Sequence, residues 1–498
     1  MPIRLILLIA CALLIFMATA AGAAETKPGT THPSGSDKAV RELGLDECIS
    51  MAMEKNHLRP ASNFAVAMAE AQHRQALAGY WPQVTLKGAY QRLDEPPNFV
   101  FPATAMRVPA GTAAITVPPG VLGPGPVTLP VSTPAQSIDV PKQDIKLMEP
   151  DVFLTSVNAT WLLYDGGMRK GLREQTEGWL EMAKQDSRRT DLEIADSVKR
   201  LYYGAVLARQ LHQVGKDTLA RMEATLNLTE TMYKEGSGKV KKTDYLDNKV
   251  MVETLRSSVA LLEKNEAMAQ AALANTMGLA WNESTRPSDK EVPFTPFAEN
   301  LENLVGTAYR FSPDWAKVES GIRAAQGAVR TAESGHYPKL ALMGELHKWW
   351  NDYNAGMATD QNKEGWSVGV GVEISLFDGF LTRNRVSEAS ARVSKIKQEQ
   401  FLFKEGIGLQ IKDVFLGLNA AQKSHQATLD AMQSAVENRD LNIRAYQNEL
   451  VDTEKVIRAQ LIEALMSAQH YKTRYDHVAL QSQLNLVVGT EILKQLEK

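Results

Sequence analysis

Hydrophobic and polar positions alternate with a period of two in four stretches of the chain. From Trp366 to Phe377 the even positions are Trp366, Val368, Val370, Val372, Ile374 and Leu376, and the odd ones include Ser367, Gly369, Gly371, Glu373 and Ser375. Alternation of this length predicts a strand with one apolar face. Residues 152–164 repeat it: Phe153, Val157, Ala159, Trp161 and Leu163 oppose Ser156, Asn158 and Thr160. Shorter strands are predicted over 83–92 and 339–348, just after Pro82 and Pro338. There Val84, Leu86 and Tyr90 oppose Thr85, Lys87 and Gln91, and Leu340, Leu342 and Leu346 oppose Glu345 and His347. Each proline ends the helix before it and forces an extended entry into the strand.

Two environments explain such faces. A soluble hairpin packs its apolar face on a core. A membrane β-barrel turns that face to lipid and the polar face to water, with ~9–11 residues per strand. Trp161, Trp349, Trp350 and Trp366 suit an interfacial aromatic girdle. Four strands cannot close a barrel, and open edges are not tolerated in lipid, so a membrane wall requires several chains.

Between the strands the pattern is helical. Gly166 to Glu235 and Gly379 to Gln447 contain no proline. A continuous helix of 70 residues spans about 105 Å, a length typical of coiled coils and helical tubes. Ile457, Leu461, Ala464, Ala468, Tyr471, Tyr475 and Val478 are spaced alternately four and three apart, a heptad seam.

The chain is also written twice. At an offset of 256, Leu45 meets Leu301, Ala52 meets Ala308, Arg74 meets Arg330, Gly79 meets Gly335 and Pro82 meets Pro338. At an offset of 213, Leu163-Tyr164-Asp165-Gly166 meets Leu376-Phe377-Asp378-Gly379. The first copy therefore carries about 43 extra residues. They lie in 95–150, where residues 96–150 hold 12 of the 22 prolines; that density predicts a long loop without helix or sheet interior. Its counterpart, about Trp349 to Gly365, is a shorter polar loop. Each half reads helix, strand, loop, strand, long helix, turn, long helix. The first helix is expected from near Leu45 to Tyr80, and from near Leu301 to His336. The fold is expected to be α+β, mainly α, with repeats over 43–290 and 291–498.

Asp165-Gly166 and Asp378-Gly379 stand where strand becomes helix. Asp caps the first free N–H groups and Gly permits the change of direction.

Composition narrows the function. With 55 Lys and Arg against 58 Asp and Glu, bulk charge gives no argument for nucleic acid. Arg4, the apolar run Leu5–Phe16 and the small residues Ala20–Ala24 predict a signal peptide over 1–24, cleaved after Ala23 or Ala24. A lipidated Cys11 in Leu8-Ile9-Ala10-Cys11 competes with simple cleavage. Residues 25–42 form an expected flexible lead-in. The mature chain keeps Cys48 as a lone thiol, read as a small buried hydrophobe.

Enzyme chemistry has no constellation here. The chain lacks H-E-x-x-H, C-x-x-C and G-x-S-x-G. His470 and His477 are seven apart on one helix, too far along it to share a metal ion. Gly236-Ser237-Gly238-Lys239 lacks the spacing of a phosphate loop and reads as a flexible turn.

The chain resembles the TolC-like outer-membrane efflux channel family. The resemblance rests on Leu45-Asp46-Glu47 and on Gln72–Ala78 running into Gly79-Tyr80-Trp81-Pro82. It rests also on the two Asp-Gly steps, the duplicated layout and the turn Gly238-Lys239-Val240-Lys241-Lys242-Thr243-Asp244-Tyr245-Leu246. It implies a homotrimer whose twelve strands close a barrel in outer-membrane lipid, continued by an α-helical barrel in the periplasm. It further implies a periplasmic adaptor (membrane fusion) protein and an inner-membrane pump or ABC exporter as partners, with no cofactor, metal, catalysis or nucleic acid.

The resemblance places the periplasmic constriction at the helix-to-helix turns, with Lys455, Arg458, Asp452, Asp244 and Lys242 as candidates. Adaptor contact falls to Gly236, Gly238, Val240, Leu450 and Val451. The family often has acids where this chain has Lys455 and Arg458. Two roles stay open for them: a basic ring at the constriction, or exposed tip residues paired with Glu449, Asp452 and Glu454. The long loop 95–150 is expected at the extracellular mouth. An exported coiled-coil scaffold without a channel is the competing function.

Overall fold

The computed structural model describes residues 41–95, 98–146, 149–236, 240–283, 285–350 and 364–490. The expected leader 1–24, the lead-in up to residue 40, Ser237-Gly238-Lys239 and residues 351–363 of the second polar loop lie outside the described residues. Arg41 and Glu42, the end of the expected lead-in, already belong to strand β1 (Arg41–Leu43).

The first half continues with α1 (Leu45–Lys55), α2 (Leu58–Ala78), β2 (Gln83–Arg92) and six short strands, β3–β8. It ends with β9 (Asp151–Tyr164), α3 (Met168–Lys234), α4 (Lys242–Thr276) and β10 (Thr285–Pro287). The second half holds α5 (Leu301–Phe311), α6 (Pro313–Glu333), β11 (Lys339–Trp350), β12 (Glu364–Glu373), α7 (Leu381–Gln447) and α8 (Thr453–Val488).

Three expectations need correction. The opening helix of each half is two helices. Asn56 leaves the helical region at ψ 125° and its Oδ1 accepts from the Leu58 N–H at 2.8 Å. Ser312 does the same at ψ 123°, since Pro313 excludes the α conformation before it. The strand expected over 366–377 runs from Glu364 to Glu373: its partner β11 begins at Lys339, opposite Glu373, so among the described residues Ile374 to Leu376 have nothing to pair with.

The third correction concerns the Pro-rich insertion, which is not a structureless loop. Strands β3 (Asn98–Phe101), β4 (Thr104–Val108) and β5 (Gly111–Val117) pair with β8 (Gln143–Lys146), β7 (Gln136–Val140) and β6 (Val127–Thr133). One register runs from Asn98–Lys146 to Val117–Val127, so the six strands make a single ribbon about 65 Å long at ~3.3 Å per residue. Pro102, Pro109, Pro134 and Pro141 fall between the ladders, and only Pro130 lies inside one. A two-stranded ribbon has an open edge on each strand, where proline is tolerated.

The four long strands form one antiparallel sheet in the order β12-β11-β9-β2. Helices α3 and α7 have 67 residues each, about 100 Å at ~1.5 Å per residue. Glycines bring α3 and α6 almost into backbone contact. A Cβ on Gly171 would lie 2.6 Å from Thr331 N, and one on Gly327 would lie 2.6 Å from Gln175 N. The two main cores repeat each other: Cys48, Ala52, Ile194 and Val198 in one correspond to Leu304, Ala308, Ile407 and Ile411 in the other, at the sequence offsets already noted. Among the described residues no helix is long and apolar enough to cross a membrane.

Candidate functional site

The sheet sorts its side chains without exception near its centre. One row across the four strands is Leu86, Val157, Leu346 and Trp366; the adjacent row on the other face is Lys87, Ser156, His347 and Gly365. Among the described residues the apolar face meets no second layer. Val84, Leu86, Trp366, Val368, Val370 and Val372 are between 63% and 74% exposed. A soluble hairpin would have covered them, because apolar area left in water costs about 25 cal/mol per Å².

Polar groups mark both ends of this face. At one end Lys348 pairs with Glu364 at 2.8 Å and lies over the Trp350 ring, while the Tyr90 hydroxyl donates to Asp151 at 2.8 Å. At the other the Trp161 indole donates to the Tyr80 carbonyl at 3.0 Å, beside the exposed Trp81. Amphipathic aromatics of this kind favour a bilayer–water boundary.

Below the sheet come the elbows that lead into the helices. Asp165 accepts from the N–H groups of Gly167 (3.1 Å) and Arg169 (2.8 Å), and Gly166 and Gly167 take φ of 64° and 92°. Arg169 completes the joint: Nε bonds Asp165 at 2.8 Å and Nη1 donates to the Leu162 carbonyl at 2.6 Å. In the second copy Asp378 accepts from the N–H and hydroxyl of Thr382, which replaces Arg169, and Gly379 takes φ 66°. Pro82 and Pro338 sit one residue before β2 and β11. Arg169 escaped the sequence reading, although its place four residues after Asp165 is a readable pairing signal.

The far ends of the helices bring the two turns together. Val240, Lys241, Asp244, Tyr446, Val451, Asp452 and Thr453 border one cleft of about 420 Å³. Asp244 accepts from the Lys241 N–H at 2.9 Å and so caps α4, which begins at Lys242. Gly236 (φ 71°) ends α3, and Gly238 lies outside the described residues. Leu450 is exposed at the second turn. Lys455 and Arg458 are exposed in the first turns of α8, with no ion-pair partner among the described residues.

Behind the cleft lies a buried polar chain that the sequence reading missed. The Tyr446 hydroxyl is 2.8 Å from Thr229 Oγ1 and 3.0 Å from Thr453 Oγ1. Asn248 donates to Thr229 and Gln460 donates to Thr225. One step further up, Glu463 accepts from Arg221 at 2.6 Å and from Ser467 at 3.2 Å, with Arg439 at 3.4 Å. These bonds join all four helices of the two hairpins. On α8 the stripe Gln460, Glu463, Ser467, His470, His477 and Gln481 is more deeply buried than most of the apolar seam beside it. The signal was in the sequence: Gln460, Glu463, Ser467 and His470 have heptad spacing too, but spacing alone does not separate a buried polar stripe from a solvated one.

Further along α8, His477 is fully buried and neither ring nitrogen has a hydrogen-bond partner among the described residues. Phe294 stacks on His425 at 3.7 Å between centroids and lies 4.5 Å from His477; His470 is 5.0 Å from His425 and close to Thr428. The charged groups around them are Arg474 and its partner Glu291. Burial lowers the pKa of all three histidines, with Arg474 adding to this at His425 and His470. A histidine with a lowered folded pKa binds fewer protons when folded, so its contribution is complete above the ordinary value near 6.5 and declines as pH falls through it. The melting temperature is therefore expected to drop from pH 7 to pH 5, and His477→Phe to flatten that slope. An unchanged Tm across this interval in the natural chain would refute the account. Among the described residues no group of three or more His, Cys, Asp or Glu is placed to hold a metal ion.

Comparison with known proteins matches residues 129–279 and 304–490 to the model of the outer membrane efflux protein family. Protein CyaE of Bordetella pertussis is 25% identical over 336 residues, 66% of this chain and 67% of that protein. The pyoverdine export outer membrane protein OpmQ of Pseudomonas aeruginosa is 25% identical over 200 residues, 39% of this chain and 41% of that protein. The CmeC outer membrane channel of Campylobacter jejuni superimposes with a TM-score of 0.70 at 11% identity, over 95% of this chain and 96% of CmeC.

Proposed function

The chain belongs to the outer membrane efflux protein family, and from that premise we propose that three copies close one conduit from the periplasm to the exterior. The protein is an outer-membrane efflux channel with a large periplasmic helical part, and not an enzyme. The observation that carries the trimer is the sheet, whose apolar face is bare and whose edge strands β2 and β12 are unpaired among the described residues. Every neighbour in the order β12-β11-β9-β2 is antiparallel, so β12 of one copy also meets β2 of the next antiparallel. Twelve strands close without an edge, which lipid requires. Thr85, Lys87, Asn158, Glu345, His347 and Ser367 then face the lumen.

The helices support the same assembly. Leu402, Leu409 and Leu416 on α7 are exposed at seven-residue intervals, as are Phe64 and Met68 on α2 at four. Uncovered stripes at helical spacing suit neighbouring copies. Channels of this family work with an adaptor and an inner-membrane pump, and we assign the adaptor contact to Gly236, Gly238, Val240, Leu450 and Val451 at the tip. OpmQ is an export protein, and we infer outward passage here as well, with energy supplied by the pump. Single-channel recording of purified protein in planar bilayers tests the conduit; a detergent-independent monomer without conductance would favour the scaffold instead.

Lys455, and Arg458 one turn further on, would each appear three times around the periplasmic opening. Rings of like charge at a constriction set ion selectivity. Lys455→Asp is therefore expected to shift the reversal potential in a salt gradient toward cation preference. An unshifted potential would return Lys455 to the solvated surface.

A further inference from the structure

The ribbon β3–β8 raises a problem that the channel reading does not solve. It leaves the sheet through the β2–β9 hairpin, beyond the Arg92–Asp151 ion pair and the acidic Asp94 and Glu95. Those charges lie past the aromatic end of the lipid-facing surface, so the ribbon stands outside the bilayer. From Val108 to Ile138 it carries no charged residue. Its outer half is amphipathic. The paired rows Ala113–Val131, Ile115–Leu129 and Val117–Val127 lie on one face, and Thr112–Ser132 and Thr116–Thr128 lie on the other. Ile115 is 55% exposed, and Leu129 and Val131 are also exposed. A two-stranded hairpin alone is marginally stable in water, and a contiguous apolar face there calls for a cover.

We propose that the cover is the same face of the other two copies: three ribbons pack their apolar sides together over the extracellular mouth, with the hydroxyl sides toward water. The proposal rests on the trimeric reading above. That reading sets three identical ribbons on one rim, each rising from the β2 edge that meets the next copy. The stretch has no charge to repel its own image across a threefold axis. Lipid is excluded as the occupant by the charged belt beneath the ribbon.

Single cysteines on the two faces test this in intact cells under oxidising conditions. The natural Cys48 is fully buried, with its thiol pushed up to about 11, and stays silent. Ile115→Cys is expected to give disulfide-linked dimers at about fivefold or more the yield of Thr116→Cys, since tethered copies meet at millimolar effective concentration. Equal yields from both positions, with an intact trimer by mass in detergent, overturn the packing and leave the channel reading standing. Loss of the trimer itself in the natural protein overturns both. As a second arm, replacing residues 111–133 by an Asn-Gly turn should raise single-channel conductance while trimer mass per chain stays threefold; unchanged conductance would remove the ribbons from the mouth.

Discussion

Val368→Arg should abolish the channel trimer, whereas Ser367→Arg should leave it standing. Val368 lies opposite Gly344, which faces Ala159 on the next strand, between the Lys348–Glu364 pair at one end of the apolar face and the Trp161 row at the other. An arginine at the lipid midplane of a β-barrel costs about 2–4 kcal/mol, and threefold symmetry repeats that cost to about 6–12 kcal/mol per assembly. Such a penalty is comparable to the whole stability of many folded domains, about 5–15 kcal/mol. Ser367 belongs to the same strand but the opposite face, beside Glu345. There an arginine meets water. The measurement is the amount of unheated, gel-stable trimer in the outer-membrane fraction. Equal trimer from both variants would show that the apolar face does not look at lipid, and the conduit would fall with it.

Glu463→Ala is expected to loosen the tip. The carboxylate is 7% exposed and lies between Arg221 of α3 and Arg439 of α7. Removing one member of a buried ion pair costs about 3–5 kcal/mol, because the remaining charge has lost its counter-charge. The lower end, about 3 kcal/mol, applies because Arg439 keeps Asp440 at 2.7 Å and Arg221 is partly hydrated. The expected signs are a lower melting temperature and a larger, noisier single-channel conductance as the two hairpins separate. Glu463→Gln, which keeps two polar atoms in place, should fall between. Wild-type conductance in Glu463→Ala would mean that these hydrogen bonds do not hold the opening.

The parts of the fold that sequence revealed are those where one solvent boundary acts on one repeating geometry. Lipid on one side and water on the other impose strict alternation, so Trp366 to Val372 and Phe153 to Leu163 were legible. Helix length was legible because proline is absent over long runs. The duplication was legible at Leu45–Leu301 and at the Asp-Gly steps, which share backbone demands. The ribbon was not, since its prolines count against sheet by composition while their positions between ladders depend on a register that only pairing reveals. The bend at Asn56 had no proline to announce it; Pro313 marks the bend at Ser312, yet the expected helix ran from Leu301 to His336 straight through it. At the tip, Tyr446, Thr229 and Thr453 are ordinary polar residues on three separate helices. Their meeting is a property of the tertiary arrangement and has no local period.

The polar stripe on α8 has a mechanical consequence. An oily zipper, once parted, leaves a surface that water rejects, so each cycle of separation meets a steep barrier and invites sticking in the wrong place. A zipper of hydroxyls, amides and a carboxylate exchanges its internal bonds for bonds to water at little net change, of the order of 1 kcal/mol for each. At the tip of this protein such exchangeable bonds stand beside a small apolar cluster of Met222, Val252 and Ile457, so parting α8 from α3 and α4 would trade most of their contacts for water and leave one small oily patch to draw them back.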